Sequence, residues 1–146
     1  MGQISIVSLA KDIQKYRALA EEYHVSFEVN DFYNPDVLED GEEMNRLITF
    51  YQEKGLPENS TMHGAFFDIV VFSYDSRVRE ISELRMEQSM KVAVRLGVRG
   101  VVFHTNYSPM LSGPEYDRRA VDMTAQYVEC LLKRYPDTEI YLENMF

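Results

Sequence analysis

Residues 76–106 read SRVREISELRMEQSMKVAVRLGVRGVVFHTN, and this stretch decides the fold. Its first part is broadly helical. Val78, Ile81, Leu84, Met90, Ala93, Val94 and Leu96 recur at the spacing of one helical face. Gly97 then supplies a stop. The run VRGVVFH, residues 98–104, follows at once, β-branched and aromatic and of strand length. A helix of residues 76–96 thus delivers a strand that ends on an imidazole, His104.

The same alternation extends in both directions. Strand-like runs occupy Ile4–Leu9, Val25–Val29, Thr61–Phe67 and Glu139–Glu143, the last with Ile140–Leu142 read as buried. Helical periodicity fills the intervals. One helix covers Lys11–Tyr23, one begins near Pro35 and runs to about Lys54 before Gly55, and one covers Glu115–Tyr135 with Pro136 just past its end. Leu56–Ser60 and Tyr107–Pro114 read as loops. Five strands alternating with four helices form βαβ units of a parallel sheet, in one domain spanning residues 1–146. Two architectures fit: an open doubly wound sheet, or the arc of a (β/α)8 barrel. The repeat is about 35 residues, so eight units would make a barrel of roughly 250 residues or more.

Bulk composition narrows the function classes. Hydrophobic residues are 45% and charged residues 27%, ordinary for a globular chain. The net charge of −9 repels a phosphate backbone and argues against a nucleic-acid partner. No apolar run is long enough for a membrane span. One cysteine, Cys130, cannot form an intrachain disulfide and fits a reducing, cytoplasmic compartment. Its apolar neighbours (YVECLL) place it as a small buried helix residue. The chain has no GxGxxG, no GxxxxGK[ST], no GxSxG and no CxxC, which weakens nucleotide-binding and serine-hydrolase readings.

Ligands of parallel α/β proteins gather at the carboxyl ends of the strands. Strand two brings Glu28, Asn30 and Asp31 there, strand three His63, strand four His104 and strand five Glu143. One strand–helix unit separates each of the last three from the next. Three neighbouring strands therefore aim two imidazoles and a carboxylate at one mouth. Such a trio is a first shell for zinc, manganese or iron, and the expected cofactor is a divalent metal, Zn, Mn, Co or Mg. A bound ion there polarises a carbonyl or acidifies a water. In FEVNDF, Phe27 and Val29 share one face, Glu28 and Asn30 the other. His24 precedes its strand and lies at the opposite end of the layer. Asp75 reads as a helix N-cap, and the acidic run Glu39–Glu43 as a solvated face.

Three runs, MHGAFFDI (62–69), the stretch 76–106 and IYLENMF (140–146), together resemble the xylose isomerase-like TIM barrels. That group includes sugar phosphate isomerases and epimerases and the endonuclease IV type of nuclease. The similarity extends from FEVNDF onward. It implies that Glu143 is the strand-five metal ligand with a share in catalysis. It implies that His63 and His104 are ligands of the nuclease-like kind, and that Glu28 lies near a substrate-contacting, catalytic position on strand two. Arg79 matches a structural arginine entering the third helix. Members of the group have eight strands, and the last three add further ligands and a base. The expectation is therefore an incomplete barrel: a truncated, weakly active or inactive form of a metal-dependent sugar or sugar-phosphate isomerase/epimerase. An endonuclease IV-like phosphodiesterase and a non-catalytic oligomerising fragment are the alternatives. Open sheet edges predict association with a second copy or with the missing half.

Overall fold

The structure, a computed structural model, describes residues 4–67 and 69–144. Asp68 of MHGAFFDI and Met145 and Phe146 of IYLENMF lie outside the described residues. The chain runs β1 (Ser5–Ser8), α1 (Ile13–Tyr23), β2 (Ser26–Val29), α2 (Pro35–Glu39), α3 (Gly41–Lys54), β3 (Thr61–His63), α4 (Ser76–Leu96), β4 (Gly100–His104), α5 (Pro114–Arg134) and β5 (Glu139–Glu143). Short 3-10 turns, Ala10–Asp12 and Pro109–Leu111, lead towards α1 and α5.

All four strand pairings are parallel, and the spatial order is the sequence order, β1 to β5. A doubly wound sheet reverses direction at a switch point. Here the order never reverses, so the arrangement is the arc of a barrel, part of a TIM barrel. The two faces of the arc differ sharply. Phe27, Val29, Met62, Val101 and Phe103 point to the helices and are fully buried. They share one core cluster with Ile13 and Ala20 of α1, Leu47, Ile48 and Tyr51 of α3, and Met86, Met90 and Ala93 of α4. Truncating one of these buried phenylalanines would cost about 3–5 kcal/mol. The other face carries Val7, Glu28, Thr61, His63, Val102, His104, Tyr141 and Glu143, which the register sets side by side.

Five local expectations need correction. The helix from Pro35 to Lys54 is two helices, giving five α-helices among the described residues. Asp40 is the cause: its extended backbone ends α2, and its carboxylate accepts from the Glu42 and Glu43 amides at 3.0 Å to cap α3. The run Glu39–Glu43 is therefore more than a solvated face, since Glu43 also pairs with Arg46 and Glu39 with the mostly buried Arg85. Strand β3 stops at His63 rather than Phe67, because the Ala65 amide leaves the ladder for Ser89 Oγ of α4 at 3.0 Å. Strand β5 is an edge, with Ile140 and Tyr141 half-buried and Leu142 exposed. Cys130 is exposed, on the outer side of α5 beside the buried Leu131.

Helix α4 follows the reading closely. Asp75 accepts from the Arg77 amide at 2.8 Å as its N-cap. Gly97 closes it at φ 68°, the left-handed region that glycine enters without penalty. Arg79 donates to the Ser73 and Tyr74 carbonyls, a structural role. Among the described residues no helix is long and apolar enough to cross a membrane.

Candidate metal centre

Three parallel strands end side by side at the open mouth of the arc. His63 is the last residue of β3, His104 of β4 and Glu143 of β5. His104 pairs directly with Glu143, whereas His63 pairs with Val102, two residues deeper. The imidazoles therefore meet diagonally. Their ring centroids are 4.7 Å apart at 87°, and Nε2 faces Nε2 at 3.0 Å. Glu143 Oε2 lies 3.3 Å from His104 Nε2. One ligand atom from each residue falls within 4.8 Å of the other two.

Local sequence builds each position. Gly64 follows His63 because the chain passes against the core there: a Cβ would lie 2.3 Å from Phe103 Cε1 and 2.9 Å from Val101 Cγ1. The Gly64 amide continues the ladder to Val102 O at 2.9 Å, and its carbonyl accepts from His63 Nδ1 at 3.0 Å. A carbonyl only accepts, so Nδ1 carries a proton and Nε2 is the ring atom left to face a ligand. Glu143 is held by the full β4–β5 register and by the Thr105 amide, which donates to its carbonyl at 3.0 Å. Thr105 Oγ1 donates to Asn144 Oδ1 at 2.8 Å and secures the next residue.

Burial grades across the trio. His63 is 7% exposed, the His104 side chain 9%, and the Glu143 side chain 57%. Burial is the main cause that lowers the His104 pKa; the neighbouring His63 adds to it, and Glu143 opposes it. The imidazole is thereby kept in the neutral, ligating form. Glu28, on the adjacent strand and the same face, has its carboxyl pKa raised by burial, with His63 lowering it and Glu143 raising it. It is poised nearer to the protonated acid than a surface glutamate.

The donor set fits a divalent cation. A tetrahedral zinc with bonds of about 2.0–2.2 Å has ligand-to-ligand edges of roughly 3.3–3.6 Å. Two of the separations, 3.0 and 3.3 Å, are close to such edges, and all three ligand atoms lie within 4.8 Å of one another, so a small inward shift of the exposed Glu143 would complete the set.

The remaining candidates divide. Asp31 does not join the centre: it accepts from the Ala10 amide at 2.9 Å and from the Tyr51 hydroxyl, tying β2 to α3. His24 sits at the far end of the layer as the left-handed cap of α1. Asn30 lies one residue beyond β2, and its buried Oδ1 has no hydrogen-bond partner among the described residues. Two contributors escaped the sequence reading, Phe66 and Asn106. The Phe66 ring centroid is 4.8 Å from each imidazole, and its other neighbours are Tyr33 and Phe67. Only proximity in the fold reveals them, although Asn two residues past His104 is a visible turn signal.

No family model matches the chain, and no curated protein does at the sequence level. Solved structures do. A Thermus thermophilus protein, from a crystal soaked with zinc chloride, aligns over 98% of this chain and 56% of its own, at 18% identity and TM-score 0.72. A D-tagatose 3-epimerase-like protein aligns over 99% and 53%, at 19% identity and TM-score 0.66. Endonuclease IV of Thermus thermophilus aligns over 98% and 52%, at 16% identity and TM-score 0.58.

The fold is that of part of the TIM barrel these solved structures share.

The chain spans about half the length of these barrels. At such identities the likeness establishes fold alone. In the terms of this barrel, the His63–His104–Glu143 cluster lies at the carboxyl-end mouth, where its active sites are built.

Proposed function

We propose that this chain carries the metal centre of a sugar or sugar-phosphate isomerase/epimerase-like protein. The observation that carries the reading is the convergence of one ligand atom each from His63, His104 and Glu143 within 4.8 Å at the barrel mouth. These three residues would hold a divalent metal, with Zn, Mn, Co and Mg as candidates. When bound, such an ion supplies Lewis-acid polarisation of a carbonyl oxygen.

The chain's own residues do the rest. His63 and His104 bind as neutral nitrogens, His63 fixed by its Nδ1–H bond to Gly64 O. Glu143 binds as an anion and, being half in water, remains accessible to a ligand. Glu28 gives and takes a proton next to the substrate carbonyl, for which a raised carboxyl pKa suits it. The Phe66 ring borders both imidazoles, with Phe67 packed on its other side, and limits water there. A small polar substrate also suits the net charge of −9. Because the chain spans about half of its structural neighbours, the 146-residue unit alone is proposed to bind metal and to work weakly.

A second reading, phosphodiester hydrolysis, has the shared fold of endonuclease IV in its favour and the acidic charge against it. One experiment separates the two. Metal-loaded protein is incubated with a panel of ketoses, aldoses and their phosphates in D2O, and in parallel with duplex DNA bearing an abasic site. The expected result is slow exchange of the hydrogen beside the carbonyl, removed by Glu28→Gln. Cleavage of the DNA without sugar exchange would overturn the proposal in favour of the nuclease reading.

A further inference from the structure

Asn106 lies two residues past His104, at φ 49°. Its side chain turns away from its own strand and back to the loop that leaves β3. There Nδ2 donates to Phe66 O at 2.8 Å and to Ile69 O at 3.0 Å. Ala65 and Val70, on either side, are fastened to α4 through Ser89 Oγ and Ser82 Oγ. Asn106 thus ties the middle of a loop whose flanks are tied elsewhere. The middle carries Phe66, whose ring centroid stands 4.8 Å from both His63 and His104. Tyr33 stacks on Phe66 at 5.1 Å and 21°.

We infer that Asn106 is a positioning residue of the metal centre: it clamps the β3–α4 loop so that Phe66 holds the two imidazoles with both Nε2 atoms converging. This rests on the metal reading above. The residue type follows from two independent demands. The left-handed backbone favours glycine, asparagine or aspartate. Two carbonyl oxygens at hydrogen-bond distance require a side chain with two N–H donors. Glycine has no donor, and aspartate would set an anion against two carbonyls. Asparagine meets both demands. An imidazole at a strand end has two free torsions, and a ring packed 4.8 Å away restricts both. Outer-shell partners of this kind change metal affinity by about 10- to 100-fold.

The test is a double-mutant cycle with two readouts. Asn106→Gly removes the clamp while relieving the left-handed backbone, and Phe66→Ala removes the ring. In the metal-free protein, NMR of the His63 and His104 ring C–H groups reports the ring current of Phe66. Zinc affinity is measured by chelator competition. In N106G the imidazole resonances are expected to move towards their positions in F66A, with unchanged far-ultraviolet circular dichroism. Zinc affinity is expected to fall by about 10-fold in each single variant and by no more in the double variant, because both act through one ring. Imidazole resonances that stay at wild-type positions in N106G would overturn the inference, as would affinity losses that add. If the wild-type protein binds no zinc, the metal reading fails, and the NMR comparison alone still decides whether Asn106 holds the rings.

Discussion

Replacing Gly64 by alanine puts a methyl group where the structure has no room for one. The added Cβ would meet Phe103 Cε1 at 2.3 Å, Phe103 Cδ1 at 2.7 Å and Val101 Cγ1 at 2.9 Å. Phe103 and Val101 are fully buried, so neither can swing into solvent. Gly64 does not occupy the left-handed region, so the cost is steric. Overpacking of a dense core costs about 1–3 kcal/mol, and three contacts this close place the cost at about 2–3. Alanine recovers about 0.4–1 kcal/mol by restricting the unfolded chain. The net loss is about 1–2.6 kcal/mol, or about 2–10 °C in melting temperature for a chain of this size. A second effect accompanies the first. Gly64 O accepts from His63 Nδ1, so any backbone shift there tilts a ligand, and zinc affinity should fall about 10-fold. Thermal unfolding followed by circular dichroism reads the first effect and calorimetric zinc titration the second. A variant melting within about 1 °C of wild type, with unchanged zinc affinity, would refute the close-packing argument.

Three further outcomes follow from burial, charge and edges. Glu28→Gln removes a carboxylate whose folded pKa burial has raised, so stability is lost in the wild type as pH rises from the ordinary carboxyl value through that raised pKa. The variant should melt about 1–2 °C higher at pH 7, a small gain because the carboxyl is only half-buried, and show no gain below about pH 4. His104 has a lowered pKa, so the unfolded chain takes up its proton first on acidification. Its stability contribution is complete above the ordinary imidazole value and lost as pH falls through the lower folded pKa, and an NMR titration should show the ring protonating below the ordinary imidazole range. The outer edges of β1 and β5 leave backbone groups without strand partners among the described residues, and light scattering should show dimers that dissociate on dilution. A monodisperse monomer at every concentration would count against self-association.

The sequence carried much of this, for reasons specific to particular residues. Helix α4 was legible to its ends because Asp75 and Gly97 mark them with side-chain and backbone chemistry. The three metal-facing residues were legible because a βα repeat converts strand ends into one mouth. Asp40 hid the break between α2 and α3, since an acidic residue inside an acidic run gives no periodic signal when it acts as a cap. Cys130 was misplaced because apolar neighbours along the chain do not say which side of a helix one residue takes. The open edge at β5 was foreseen, but the exposure of Leu142 was missed because the composition of β5 resembles that of a buried strand. Phe66 and Asn106 were invisible as site residues because their roles depend on contacts 40 residues apart in sequence.

The central claim is that His63, His104 and Glu143 bind one divalent metal together. The most direct measurement is the cobalt absorption spectrum of the purified protein, titrated to saturation, beside the variants His63→Ala, His104→Ala and Glu143→Gln. The account predicts one equivalent of tightly bound cobalt with visible bands of a low-coordinate nitrogen–oxygen site, displaced stoichiometrically by zinc and lost or greatly weakened in each variant. Stoichiometric binding that all three variants retain, or no binding above that of free buffer, would contradict it.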